Sequence, residues 1–127
     1  MTGVQTCALP IYTTTSREGL PERWATEPGG VSGAPLRERS VRLISEAHRL
    51  SGGRLTIIGA GGVSSAEDAW RKIAAGATLV QVYTGLVYHG PALPREINEG
   101  LLRLMRQNGV ARLQDAVGRS HPELAVK

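Results

Sequence analysis

The sequence predicts an α/β fold organised around one parallel βαβ unit, and three observations carry that prediction. Two short runs, Leu55 to Ile58 and Thr78 to Tyr83, are almost wholly apolar, as strands buried on both faces are. Between them Ala66, Ala69, Trp70, Ile73 and Ala74 recur at helical spacing. A strand, a crossover helix and a second strand within ~30 residues pair in parallel. The chain has 127 residues, about one domain on the ~100–200-residue scale. Two strands alone make too small a sheet and leave both edges unpaired. The chain therefore reads as a portion of a larger α/β protein.

The elements follow in order. Residues 13 to 35 are rich in Thr, Ser, Gly and Pro and predict a long surface loop, with a flexible linker as the bland alternative. Leu36, Leu43, Ile44, Ala47 and Leu50 then mark one apolar helical face, which Ser51-Gly52-Gly53 ends with a left-handed stop. The first strand runs into Gly59-Ala60-Gly61-Gly62. Ser64 and Glu67 have capping-box spacing for the crossover helix, and Gly76 closes it. The second strand stops at Thr84-Gly85, with His89 in a turn beyond. A last amphipathic helix starts near Pro94, carries Leu93, Ile97, Leu101, Leu104 and Met105, and ends at Asn108-Gly109.

Composition narrows the function classes. A hydrophobic content of 41% with 20% charged residues excludes wholesale disorder and a collagen-like chain. The longest apolar runs fall far short of the ~20 residues of a membrane-spanning helix. One cysteine, Cys7, leaves no internal disulfide and no Cys-based zinc site. The net charge is +4, and Lys72 and Lys127 are the only lysines among the basic residues. The arginines are interspersed with glutamates, as in Arg37-Glu38-Arg39, and form no basic stripe with aromatics, which argues against a nucleic-acid partner.

The chemistry-bearing pattern is a pair of glycine-bearing strand ends, Gly59-Ala60-Gly61-Gly62 and Tyr83-Thr84-Gly85. Glycine permits close backbone approach, and successive N–H groups can converge on one anion. The helix after the first turn adds its positive end. Paired turns on adjacent parallel strands predict a phosphate cradle that needs no lysine; a single such turn would mean only a tight bend. The dinucleotide fingerprint is absent, because its third glycine would fall on Ser64, and no Gly-Lys-Ser/Thr marks a P-loop. His48 is expected at a surface or boundary, and His89 near the cradle as an exposed turn residue. His121 falls in a tail. No catalytic triad order or metal-ligand spacing is found.

Three ordered motifs then resemble a known family. Gly29-Gly30-Val31-Ser32-Gly33-Ala34-Pro35-Leu36, Ile57 to Ser65, and Lys72 to Gly85 are together similar to the C-terminal part of dihydroorotate dehydrogenase, the FMN enzyme of pyrimidine biosynthesis. The tail Leu113 to Gly118 resembles the quinone-using, membrane-associated class 2. Thr13 to Arg17 resembles the end of the sixth barrel strand and its following loop. Residues 1–12 show no such likeness and are expected to be foreign to the family, with 13–127 as its C-terminal portion.

The resemblance implies a (β/α)8 barrel of which this chain holds strands seven and eight; such barrels commonly bind phosphate there. It implies that Gly33, Gly62, Tyr83 and Thr84 contact FMN and that Thr13 contacts the substrate, dihydroorotate or its product orotate. Tyr12 departs from the pattern, standing where the family has asparagine. The catalytic base, the quinone site and the peripheral attachment to the cytoplasmic side of the membrane are implied to lie upstream. The fragment itself is then soluble and inactive alone. Gly62→Val is expected to put a branched side chain where phosphate oxygens approach, and to clash as well if φ is positive there. Another FMN-binding barrel oxidoreductase and a non-catalytic anion-binding module are the alternatives.

Overall fold

The computed structural model describes residues 13–121. The expectations for residues 1–12, including Tyr12 and Cys7, and for the end of the chain lie outside the described residues. Two strands, β1 (Ile58–Gly59) and β2 (Leu79–Val80), form a parallel pair in which Ile58 faces Leu79 and Gly59 faces Val80. Flanking bonds lengthen the ladder: Thr78 N–H donates to Ile57 O at 2.8 Å and Gln81 N–H to Gly59 O at 2.9 Å. Among the described residues five α-helices accompany it: α1 (Glu22–Ala25), α2 (Arg37–Ser51), α3 (Ala66–Ala75), α4 (Thr84–His89) and α5 (Leu93–Gln107). Helix α3 crosses between the strands and packs against α2 on one side and α5 on the other.

The glycine stops lie where the sequence puts them. Gly52 ends α2 in the left-handed region, and Gly76 ends α3 at φ 122°. The cap of α3 differs by one residue from the expected pair. Ser65, not Ser64, accepts from the Asp68 N–H at 3.2 Å, and Asp68 accepts from the Ser64 N–H at 3.1 Å. Helix α4 was not foreseen. It is six residues long and contains Gly85 and Val87, poor helix formers, so local propensity carries no signal of it.

The core divides in two around α3. Val63, Ala69, Ile73, Leu93, Ile97, Leu101 and Ala116 pack between α3, α5 and β2. Ile44, Ala75 and Ala77 pack beneath α2. Helices cover one face of the strand pair and leave the other open, with Ile58 41% and Leu79 56% exposed. The expectation of strands buried on both faces is thereby corrected: the apolar face is present, but none of the described residues covers it.

Helix α2 carries a second correction. Its buried line is Ser40, Ile44 and His48, while Leu43 and Leu50 are exposed. His48 is buried rather than superficial. Its ring occupies the space that side chains at Gly76 and Gly118 would need, and its Nδ1 has no hydrogen-bond partner among the described residues. The His121 ring lies 5.8 Å away, its Nε2 2.8 Å from Ser45 Oγ.

The 13–35 loop is tied to the body rather than free. Thr14 and Val31 exchange backbone hydrogen bonds of 2.9 and 2.8 Å in an antiparallel bridge. Arg17 Nη2 donates to Glu27 O at 2.9 Å and Gly29 O at 2.5 Å, and Arg39 Nη1 donates to Thr14 Oγ1 at 3.1 Å.

Two outcomes follow from this packing. The open apolar face is expected to make the isolated chain associate and melt broadly, read by size-exclusion chromatography and circular dichroism; a sharp transition from a monomer would contradict it. Burial, with His121 adding to it, holds the His48 imidazole below its ordinary value. The unfolded chain then takes up a proton near pH ~6.5 that the folded chain resists. Stability is therefore lost as pH falls below ~6.5 and is insensitive to this group above it. Melting temperatures between pH 7.5 and 5 should fall more steeply for the parent chain than for His48→Leu.

Candidate functional site

Three backbone turns converge at the carboxyl ends of β1 and β2. The turn after β1 runs through Ala60 to Ser64, the turn after β2 leads into α4, and the Val31–Pro35 segment arrives from the long loop. Together they border a cavity of about 360 Å³ whose lining includes Leu20, Gly33, Gly62, Thr84, Tyr88 and His89. A smaller recess beside it is bordered by Gly33, Gly62, Gln81, Tyr83 and Thr84. No Lys, Arg, Asp or Glu is among the described lining residues. Attraction for an anion at the wall comes from backbone dipoles, from the hydroxyls of Ser32, Ser64 and Thr84, and from His89.

Four residues that the sequence singled out are thus brought together: Gly33, Gly62, Tyr83 and Thr84. Gly33 has φ 83° and ψ −141°, and a Cβ there would lie 3.1 Å from Thr84 Cγ2. Thr84 Oγ1 donates to Ser32 Oγ at 3.1 Å, so the loop before α2 is fastened to the turn after β2. Thr13 is placed elsewhere, against Gly30, and does not border the cavity. His89, the last residue of α4, is exposed and borders it, as its position after the second strand implied.

At Gly62 the structure bears out the second of the two expected obstacles to a side chain, a clash at positive φ. Its φ is 69°, and a Cβ would fall 2.7 Å from the Arg37 Cα and N. The glycine is required because the first residue of α2 presses against it, so a side chain would collide with backbone before reaching any ligand. The Gly62 and Thr84 N–H groups have no partner among the described residues, and Gly62 is buried. Buried N–H groups without partners are rare in folded chains. Gly62 is such a group, and the half-buried Thr84 borders the same cavity, whose described lining holds no carboxylate, so both can donate to an acceptor there.

The geometry behind the wall is ionic. Arg37 Nε lies 2.6 Å from Asp68 Oδ1 and Arg37 Nη2 donates to Ser64 Oγ at 3.3 Å. Arg71 pairs with Glu38 through two contacts of 2.7 Å. Sequence reasoning missed Ser40 and Lys72, which meet beneath the first turn. They are 32 positions apart, and no local spacing announces such a contact.

Comparison with known proteins decides the family. The family model described as Dihydroorotate dehydrogenase matches residues 6–105. The chain belongs to the dihydroorotate dehydrogenase family. The match opens inside the 1–12 segment that was expected to lie outside the family.

The chain is similar to the dihydroorotate dehydrogenase (quinone) of Deinococcus radiodurans, at 51% identity over 84% of this chain and 29% of that protein. It is similar to the Synechococcus elongatus protein of the same name at 57% over 79% of this chain and 26% of that one. Ligand-free dihydroorotate dehydrogenase from Eimeria tenella superposes with a TM-score of 0.82 at 38% identity, covering 86% of this chain and 31% of that structure. The chain thus spans less than a third of the length of these dihydroorotate dehydrogenases. Among its described residues no helix is long and apolar enough to cross a membrane.

The two glycines at the cavity predict different responses to substitution in this dihydroorotate dehydrogenase segment. Gly33→Ala and Gly62→Ala each force alanine into the left-handed half of backbone space, at about 1–3 kcal/mol. At Gly33 the added contact is a methyl group, so Thr84→Ser should recover part of the loss. At Gly62 it is backbone, so Thr84→Ser should recover nothing. Denaturation midpoints in two double-mutant cycles measure the difference.

Proposed function

We propose that this chain is the FMN phosphate-binding portion of a quinone-type dihydroorotate dehydrogenase, contributing strands seven and eight of a (β/α)8 barrel. One observation carries the reading: two unpartnered backbone N–H groups, at Gly62 and Thr84, border a single cavity at the carboxyl ends of adjacent parallel strands. That is where barrels of this kind hold phosphate. Relatives about half identical and named for the quinone reaction support it.

The residues present fit the phosphate end of a flavin. Gly62 and Thr84 would donate to its oxygens, and Gly33 keeps the loop close without a side chain intruding. Tyr83, largely exposed in the adjoining recess, would border the ribityl chain or ring. FMN, when bound, supplies the two-electron acceptor for oxidation of dihydroorotate to orotate, with quinone reoxidising it. Thr13 would contact the substrate once the rest of the enzyme adjoins it. The base and quinone site are assigned to the remainder of the enzyme, which also carries peripheral attachment to the cytoplasmic face of the membrane. Residues from Thr13 onward are the working portion in this reading, and the chain alone is catalytically inactive.

The test uses a complete enzyme in which this chain replaces the matching part of the Deinococcus radiodurans relative. FMN should bind more tightly than riboflavin, which lacks the phosphate. Each charge-assisted hydrogen bond is worth about 1.5–3 kcal/mol, so one or two correspond to a roughly ten- to thousand-fold preference or more. Thr84→Ala should narrow that preference only slightly, since its backbone donor stays. Equal affinity for the two flavins would overturn the assignment.

A further inference from the structure

Lys72 is wholly removed from solvent, the largest side chain so buried among the described residues. Its ammonium donates to Ser40 Oγ and takes part in no ion pair among them. Asp68, one turn earlier on α3, is engaged by Arg37 at 2.6 Å. A buried charge with a single hydrogen bond is costly, and an apolar side chain of that length would fill the space without the cost. Its placement therefore calls for a role in what lies next to it.

Next to it is the first cavity turn. Ser40 Oγ lies 3.1 Å from both Gly61 O and Arg37 O. An ammonium only donates, so Ser40 accepts from Lys72 and turns its own proton toward a carbonyl. Gly61 C=O and Gly62 N–H are the two ends of one peptide group, and the described chain has no cis peptide. In a trans peptide they point in opposite directions. With the carbonyl held on the Ser40 side, the N–H is directed away from it, and it is this N–H that has no partner.

We propose that Lys72 is a positioning residue for the anion site, its ammonium acting through Ser40 to hold and polarise the Gly61–Gly62 peptide so that the Gly62 N–H meets the flavin phosphate. The inference rests on the phosphate reading above. Hydrogen bonds in series strengthen one another, and a charge at the head of the series strengthens it most. Behind a dry wall the same charge is little screened and adds its own attraction for a dianion.

Burial pushes the Lys72 ammonium down to about 8. Asp68 and Glu38 draw it upward, and Arg71 and Arg37, with burial, hold it down. A flavin phosphate, with its second ionisation near ~6, stays dianionic above pH ~7. A fall in phosphate-dependent affinity as pH rises past ~8 therefore reports the lysine losing its proton.

The test titrates FMN and riboflavin into the flavin-stripped complete enzyme, between pH 7 and 9.5, for the parent, Lys72→Met and Ser40→Ala. The parent should prefer FMN, and the preference should shrink above pH ~8. Lys72→Met should melt no lower than the parent, lose roughly ten-fold in FMN affinity at pH 7 with riboflavin unchanged, and lose the pH dependence. Ser40→Ala should weaken FMN in the same direction, and it decides the matter if Lys72→Met does not fold. A parent preference for FMN that survives with its pH dependence in whichever variants fold overturns the Lys72 role alone. A parent with no preference for FMN overturns the phosphate reading and this inference with it.

Discussion

The carboxylate of Asp68 joins three stretches of chain that share no local sequence relationship. It sits in the first turn of α3, accepts from both the N–H and the hydroxyl of Ser64 at 3.1 Å, and meets Arg37 Nε at 2.6 Å. Ser65 answers by capping the Asp68 N–H. The start of α3, the end of the β1 turn and the start of α2 are thereby fixed to one another. Arg37 also reaches Gly62 O at 3.5 Å. The collision that a side chain at Gly62 would meet is with Arg37 backbone, so the close approach and the ion pair are one arrangement. Asp68 is buried while the Arg37 side chain is 35% exposed, so solvent screens the pair from the arginine side and the cost of breaking it falls below that of a fully buried pair.

Among the described residues, the arginines and the lysine behind the first turn divide into those held in ion pairs and Lys72, which is not. Arg37 is matched by Asp68 and Arg71 by Glu38. Lys72 has a hydroxyl in place of a carboxylate. A wall of backbone N–H groups with neutralised arginines behind it offers an anion directional donors without a flexible side chain to order. That arrangement lowers the entropic cost of binding and selects by geometry.

The sequence made legible whatever depends on neighbouring residues. Gly52 and Gly76 end helices because left-handed backbone is inexpensive only for glycine, and the apolar spacing of Leu93, Ile97 and Leu101 places α5. Gly33, Gly62, Tyr83 and Thr84 were read from strand-end pattern and family motif, and they do border shared cavities. What stayed hidden is long-range. The Ser40–Lys72 contact spans 32 positions, and the burial of His48 depends on Gly76 and Gly118 leaving room for its ring. A histidine and a lysine between arginines and glutamates look like surface residues until the helices are packed. The open face of β1 and β2 was hidden for the opposite reason: an apolar strand announces that a face wants covering, not which chain segment covers it.

That open face and the cavity depend on different parts of the molecule. The bonds that shape the first turn come from Ser40 and Arg37 on α2 and Asp68 on α3, all on the covered side of the strands. The second turn is held from Ser32, in the loop that leads into α2. None of these contacts passes through Ile58 or Leu79, the exposed positions of the strand pair. The turns are positioned by the helical layer and not by whatever covers the apolar face. Covering that face therefore adds burial and stability in the first place. The backbone donors at the two turns already have their directions from behind.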